Sequence, residues 1–180
     1  MKNMRQNHRN LIRRAAREEV EVIASENIER DLEEFFTLYD ETRKRHAFVP
    51  YPNKFIRAQV EHFSTRGECT LYLARYQGEV VASSVHMHIG GETSYHHGAS
   101  TIKYPKIPAS YALQWQAIKD AMKRGDHVFN FWGISPEGAK KHPFAGVRTF
   151  KTGFGGELLE LQHCMDIPVT KRYYLTRAFE

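Results

Sequence analysis

Three consecutive strand-like segments near the middle of the chain constrain the fold most strongly. From residue 69 apolar residues recur at every second position, as at Leu71 and Leu73, which is the period of a half-buried strand. The segments run at about 69–76, 79–89 and 93–99. Because Gln77-Gly78 and Gly90-Gly91 are short glycine turns that join antiparallel neighbours, the sequence predicts an antiparallel meander.

Helix-like and strand-like segments flank this meander. Before the meander the sequence predicts a strand at Glu19–Ile23, a helix with Ile28, Leu32, Phe35, Phe36 and Tyr39 in its apolar stripe, and a helix from Asn53 to Gly67. After the meander it predicts a helix with Ala112, Trp115, Ile118 and Met122 that ends at Gly125, and then a buried strand at His127–Trp132. A short helix near Phe144–Lys151 and strands at about 157–164 and 167–176 follow. This order predicts an α/β (α+β) fold with a mixed central sheet flanked by helices, and it resembles the GNAT acyltransferase fold.

Length and composition indicate one folded domain spanning residues 1–180. Hydrophobic residues make up 41% of the 180 residues and charged residues 26%, which is typical of a globular chain. No apolar run approaches the roughly 18 residues of a membrane span, and Met1–Arg17 lacks the apolar run of a secretory signal. We therefore expect a soluble, cytoplasmic protein in which Cys69 and Cys164 are free thiols.

A basic stripe marks the start of the chain. Arg5, Arg9, Arg13 and Arg17 are spaced four apart, and the first 17 residues contain no acid. Like charges at this spacing destabilise a helix, so the stripe requires an anionic partner. That partner is either the acid-rich segment at Glu18–Glu41 or a ligand that carries phosphate.

Four segments resemble the FemABX family, the aminoacyl-tRNA-dependent peptidyltransferases that build peptidoglycan cross-bridges. They are Tyr95-His96-His97-Gly98-Ala99-Ser100, Pro108–Trp115, Gly125 through Asn130-Phe131-Trp132-Gly133-Ile134, and Phe150-Lys151-Thr152-Gly153-Phe154-Gly155-Gly156. The resemblance covers nearly the whole chain and implies a GNAT-like domain, the second of the two that family members generally contain. It further implies that another GNAT-like domain or a homodimer partner completes the assembly.

The implied reaction is attack by a peptide amine on the ester that joins an amino acid to the 3′ end of tRNA. Such a reaction needs positioned reactants, a donor for the oxyanion and a route for the amine proton, and no cofactor beyond the aminoacyl-tRNA donor. The resemblance makes Lys151 and Phe150 the candidate catalytic residues. Without the resemblance, Lys151 would be interpreted as a solvated surface lysine.

The resemblance also suggests binding residues. Those for substrate are Tyr51, Phe55, Trp132, Gly133, Ile134, Gly153 and Gly155, and those for tRNA phosphate are Arg5, Arg9 and Arg13. The glycines either admit a ligand backbone or only form a turn. Tyr51 and Phe55 stand where the family pattern has an Arg and a Tyr that contact a nucleotide-muramyl acceptor, which puts the usual peptidoglycan precursor in doubt.

Three alternatives remain open from the sequence. A GNAT-fold acyltransferase with another acyl donor is one, although Ser100–Lys106 lacks the glycine-rich loop that would bind the pyrophosphate of acetyl-CoA. A non-catalytic domain that binds tRNA or protein is the second. The third concerns His86, His88, His96 and His97, which are either metal ligands or strand histidines, one of them relaying a proton. No metal is expected.

Overall fold

The computed structural model describes residues 1–46, 49–139, 142–162 and 165–178. Its elements are α1 (Gln6–Arg17), β1 (Glu21–Ala24), α2 (Ile28–His46), α3 (Asn53–Ser64), β2 (Cys69–Tyr76), β3 (Glu79–Ile89), β4 (Glu92–Ser100), α4 (Ala109–Arg124), β5 (Val128–Asn130), α5 (Ala145–Thr152) and α6 (Arg172–Arg177). No helix in these residues is both long and apolar enough to cross a membrane.

The strands form one mixed sheet in the order β1-β2-β3-β4-β5. The first four strands are antiparallel to their neighbours, and β5 runs parallel to β4. Gln77, Gly78, Gly90 and Gly91 all have positive φ angles, as two-residue hairpin turns of the right-handed sheet require. The predicted meander and the predicted α/β class are therefore confirmed.

Helices cover both faces of this sheet. On one face α2 and α3 pack Phe35 and Ile56 against Leu71 and its strand neighbours. On the other face α4 packs Leu113 against Tyr72, and successive residues of β2 point to opposite faces as the strand period requires. The site described below lies at the free end of β4, between these two helical layers.

A third apolar cluster fixes α1 beside the end of α5. Met4 and Ile12 bury their side chains with Phe154, and the half-buried Trp115 and Phe131 pack against them. The apolar spacing of α4 and the run at 127–132 favour core positions for Trp115 and Phe131, and the structure buries these two residues only in part. This cluster brings the basic N-terminal helix close to the segment that follows Lys151.

The two strands predicted near the C-terminus are wrong in the described residues. Residues 157–162 and 165–171 form no strand, and residues 172–177 are helical. An alternating pattern forms a strand only where a partner edge pairs with it, and Leu159, Leu161 and Ile167 remain exposed here. Residues 163 and 164, and with them the predicted free thiol of Cys164, lie outside the described residues.

Two further details correct the sequence interpretation. The strand predicted at His127–Trp132 is shorter, and it is an edge strand in which Val128 is 42% exposed. The helix α4 buries Leu113, Ala117 and Ala121 against the sheet, where small residues allow close approach, and leaves Met122 69% exposed. Cys69 is a buried free thiol, and burial raises its pKa to about 11.

Candidate active site

A bulge in β4 gives this strand its unusual side-chain directions. Val85 pairs with His97 and His86 pairs with Tyr95, so His96 is an extra residue in the ladder. Tyr95 therefore stacks on His86 with ring centres 5.5 Å apart, on the α4 side of the sheet. His97 lies on the other side and contacts Tyr39 of α2 at 6.0 Å. Bulges commonly redirect side chains in this way next to functional sites.

The strands β4 and β5 separate just before this bulge. Their pairing ends at Ser94 and Asn130, whereas β4 continues to Ser100. Trp132 has a φ of 60°, a left-handed conformation that turns the chain away from the sheet. Within the described ranges no strand pairs with the outer edge of β4 beyond Ser94. Beyond Ser94 the outer edge of β4 therefore lacks a strand partner in the described residues and diverges from residues 131–135, and we call the place where they diverge the cleft.

Lys151 reaches this cleft from the last turn of α5. Its Nζ donates a hydrogen bond to the carbonyl oxygen of Gly133 at 2.9 Å and lies 5.7 Å from the ring centre of Tyr95. Burial lowers the pKa of Lys151, and in the described part of the chain no carboxylate forms an ion pair with it. An ammonium has three N–H donors, so Lys151 retains donors for a ligand. It is half-buried and differs in this from a solvated surface lysine.

Phe150 points away from Lys151. Its ring packs against Tyr111 at 5.0 Å and Phe154 at 5.4 Å, in the apolar cluster under α5. Successive residues of a helix project about 100° apart, which separates the two side chains. Phe150 is thus placed to support the helix that bears Lys151.

Gly153 and Gly155 approach the N-terminal segment closely. A Cβ atom on Gly153 would lie 1.9 Å from Cε1 of His8. Gly155 has a φ of +87°, and a Cβ there would lie 2.7 Å from the carbonyl oxygen of Asn3. The packing of the chain itself therefore requires glycine at both positions.

An aromatic wall forms the other side of the cleft mouth. Tyr51 stacks on Phe55 at 5.3 Å and meets His97 edge-on at 6.0 Å, while Trp132 lies 5.6 Å from His96. Of the predicted binding residues, the structure thus brings Tyr51, Phe55 and Trp132 around the histidine pair, with Gly133 adjacent in the chain. Ile134 follows as a half-buried residue of the same loop.

The histidine pair in this wall is held in its neutral form. His96 Nε2 lies 3.2 Å from Oε1 of Gln59, and burial lowers the pKa of His96. Burial also lowers the pKa of His97 to about 4, and its Nε2 has no hydrogen-bond partner among the described residues. A neutral imidazole with a free ring nitrogen is able to accept a proton from a ligand or to donate one to it.

His86 and His88 belong to a separate buried network under α4. His86 Nε2 lies 3.3 Å from Gln114 Oε1, and His88 lies within hydrogen-bond distance of Thr70 and Thr93. Burial lowers the pKa of His86 to about 3 and that of His88 to about 4. In the residues that the structure describes, no three His, Cys, Asp or Glu side chains are grouped to hold a metal ion.

The basic stripe lies on the exposed side of α1. Arg5, Arg13 and Arg17 are exposed, and Arg9 donates to the carbonyl oxygen of Met4 at 2.6 Å. Across the described ranges no ion pair joins any of these four arginines to an acid of α2 or elsewhere. The acid-rich segment Glu18–Glu41, one of the two partners considered from the sequence, therefore forms no ion pair with the stripe in the described residues.

Two residues near Lys151, Tyr95 and His8, were not identified as site residues from the sequence. Tyr95 places its hydroxyl so close to Gly98 that a Cβ there would lie 1.7 Å away, and Gly98 in the Tyr-His-His-Gly segment was the available signal. His8 lies buried behind Gly153, and its spacing of four from the buried Ile12 was the only hint. Polar residues at such positions are indistinguishable by pattern from surface residues.

Comparisons with known proteins agree with this architecture. Residues 2–143 match the family model described as acetyltransferase (GNAT) domain. FemA aminoacyltransferases from Staphylococcus epidermidis and Staphylococcus aureus are 32% and 31% identical to this chain over 83 residues, which are 46% of this chain and 20% of theirs.

Solved structures show the same fold at low sequence identity. FemX has a TM-score of 0.78 at 15% identity, over 86% of this chain and 54% of that chain. L-PGS from Bacillus licheniformis has a TM-score of 0.59 at 19% identity, over 83% of this chain and 50% of that chain. These relatives are considerably longer than the part matched here. The chain belongs to the acetyltransferase (GNAT) domain family, and its resemblance to the FemABX group is confirmed.

Proposed function

We propose that this GNAT-type acyltransferase domain transfers an aminoacyl group from aminoacyl-tRNA to an amine of a peptidoglycan-precursor peptide. One observation carries the proposal: the half-buried ammonium of Lys151 lies at a cleft beside the unpaired edge of β4, without a carboxylate partner in the described residues. The FemA relatives are aminoacyltransferases by name, which supports the same class of acyl group.

The chemistry needs stabilisation of a developing negative charge. The acceptor amine attacks the ester carbonyl, a C–N bond forms, the C–O bond to the tRNA ribose breaks, and the amine proton passes to the departing oxygen. In the proposed mechanism Lys151 and backbone N–H groups on the free edge of β4 face the carbonyl oxygen as it becomes an oxyanion. The neutral His96–His97 pair is the candidate proton relay.

The basic stripe is the proposed site for the donor's phosphates. The backbone N–H of Arg5 donates to the carbonyl oxygen of Gly153 at 2.9 Å, so the stripe begins beside the turn that follows Lys151. A tRNA whose backbone lay along Arg5, Arg9 and Arg13 would thus have its acceptor end close to the cleft. Phosphate neutralisation by arginine supplies most of the sequence-independent affinity for nucleic acids.

The aromatic wall is the proposed acceptor side. Tyr51, Phe55 and Trp132 offer flat apolar surfaces and few charges, which favours contact with planar or apolar parts of the acceptor. Because the relatives extend well beyond the matched region, a second GNAT-like domain or a second copy is proposed to complete the acceptor groove. With a tRNA donor and a precursor peptide as substrates, the proposed reaction would take place in the cytoplasm.

Coenzyme A is the alternative donor that the loop before α4 disfavours. Residues 100–106 contain no glycine, and Lys103 in this loop donates to Glu79 at 2.6 Å. Pro108, which lacks an N–H, precedes the first turn of α4. The backbone donors that would surround a pyrophosphate are therefore fewer here than in a glycine-rich loop.

A transfer assay tests the proposal directly. The full chain is mixed with bacterial tRNA charged with radiolabelled amino acids and with peptidoglycan-precursor peptides that carry a free amine, the nucleotide-muramyl pentapeptide among them, and label in the peptide is measured in a single turnover. We expect transfer by the wild type and by Lys103→Met, and strongly reduced transfer by Lys151→Met. Label appearing at the same rate with Lys151→Met, or transfer only from acetyl-CoA, would contradict the proposal.

A further inference from the structure

His8 of α1 makes an unusual contact with the end of α5. It is 2% exposed, and its Nε2 lies 2.9 Å from the carbonyl oxygen of Phe150. Since a carbonyl only accepts, His8 donates from Nε2, which fixes its tautomer when neutral. The carbonyls in the last turn of a helix lack intrahelical partners, and here the N–H of Phe154 donates to Lys151 and leaves Phe150 for His8.

The imidazole of His8 is held firmly in place. Its ring meets Tyr111 edge-on at 4.9 Å and Phe154 at 5.2 Å. Gly153 leaves the space that the ring occupies. The backbone N–H of Arg5 donates to the carbonyl oxygen of Gly153 at 2.9 Å. Arg5 and His8 therefore form hydrogen bonds to the chain on both sides of Lys151.

Stability alone does not account for a histidine at this position. The Nδ1 atom of His8 is buried without a hydrogen-bond partner in the described residues, which is destabilising. An apolar side chain would fill the same space next to Tyr111 and Phe154 without that cost. What histidine adds is the single hydrogen bond to the residue that precedes Lys151.

We propose that His8 is a positioning residue for Lys151, and this inference rests on the catalytic role proposed for that lysine. The hydrogen bond to Phe150 fixes the last turn of α5, so that the Lys151 ammonium reaches Gly133 and the cleft. Without the bond the turn frays, and Lys151 spends more time in solvent. Small misplacements of a charge-stabilising group reduce turnover more than substrate binding.

The test compares His8→Leu, which removes the donor, with His8→Gln, which keeps an N–H donor. Lysines of the full chain are labelled by reductive ¹³C-methylation, and the NMR titration of Lys151 is assigned with Lys151→Arg. We expect the lowered pKa of Lys151 to move toward its ordinary value in His8→Leu, and to stay near the wild-type value in His8→Gln. In the transfer assay kcat falls about tenfold in His8→Leu with little change in KM for aminoacyl-tRNA.

Ile12→Ala is the matched control, because Ile12 is another buried residue of α1. It is expected to lower Tm without moving the Lys151 titration. The proposal is overturned if Lys151 titrates alike in wild type and His8→Leu, if His8→Gln is as impaired as His8→Leu, or if Ile12→Ala moves Lys151 equally. If His8→Leu does not fold, His8→Phe keeps the ring contacts and replaces it. The titration needs no turnover, so it tests His8 even where no transfer from tRNA occurs.

Discussion

The Nζ atom of Lys151 lies 2.9 Å from the carbonyl oxygen of Gly133, and this hydrogen bond joins the last turn of α5 to the loop after β5. The loop diverges from β4 at Trp132, whose left-handed backbone conformation costs about 1–3 kcal/mol in a non-glycine residue. Strain of this kind persists where surrounding contacts hold it, and Lys151 is one such contact. The cation and the cleft that it faces are therefore parts of one local structure.

Replacing Lys151 with Met is expected to lower kcat/KM by a factor of several tens or more. The reason is that removal of one hydrogen-bond donor to an oxyanion typically lowers kcat by a factor of about 10²–10³. The Tm should change by no more than about 2–4 °C, since methionine keeps an unbranched apolar side chain in this half-buried position. Steady-state kinetics and thermal denaturation check both values. Lys103→Met, which removes a lysine paired with Glu79, is the control and should keep full activity. A folded Lys151→Met variant with the kcat/KM of the wild type would refute a charge role.

Acid should destabilise the fold through its buried histidines. His86, His88 and His97 have pKa values lowered by burial to about 3, 4 and 4, against an ordinary value of 6.5. The unfolded chain therefore binds more protons below about pH 6.5, and stability is lost as the pH falls toward these values. Each histidine contributes up to about 1.4 kcal/mol per pH unit.

Urea denaturation at pH 7, 6 and 5 measures this acid dependence. The free energy of unfolding should fall steadily over the series, and His97→Phe should reduce the slope by about one proton. A slope that is flat in the wild type, or identical in His97→Phe, would show that these imidazoles are not buried neutral groups.

Adding a methyl group at Gly153 should destabilise the protein by about 1–3 kcal/mol, because the new Cβ would overlap the His8 ring. Gly146 lies in the first turn of α5, the helix that ends just before Gly153, and has open space around it, so Gly146→Ala should instead stabilise by about 0.5–1 kcal/mol. Chemical denaturation gives both values. The double variant Gly153→Ala/His8→Ala should recover part of the loss. Equal effects of the two single substitutions would exclude the close packing described here.

Removing two arginines of the basic stripe should weaken the salt dependence of tRNA binding. Each phosphate contact contributes about 0.7–0.9 to the slope of log K against log salt concentration, so Arg5→Gln/Arg13→Gln should lower the slope by about 1.5. Arg43→Gln/Arg66→Gln is the control, and it has the same net charge as the first double variant. These two arginines are chosen because they already pair with Asp40 and Glu68. Binding titrations at several salt concentrations measure the slopes. Identical slopes in both double variants would remove the stripe from the tRNA site.

The sequence predicted the local elements better than the contacts at the site. Alternation and glycine turns fixed the meander, because both signals are local. The C-terminal segment around Leu159 and Ile167 alternates in the same way, yet it has no partner edge in the described residues and forms no strand there. Strand formation depends on such a partner, which periodicity does not reveal.

The site itself depended on features without a sequence period. The extra residue at His96 places Tyr95 and His97 on opposite faces of the sheet, and no pattern in the strand predicts a bulge. His8 contacts Phe150 across 142 positions of the chain. Lys151 was found only through a family resemblance, and its partial burial beside Gly133 required the structure.

The decisive measurement for an aminoacyl-tRNA donor is the affinity of the full chain for aminoacylated and for deacylated tRNA. It is made at two salt concentrations, with acetyl-CoA as a control. The proposed function predicts salt-sensitive binding that is tighter for the aminoacylated form, and no comparable binding of acetyl-CoA. Equal affinity for the two tRNA forms, binding to neither, or preferential binding of acetyl-CoA would contradict it.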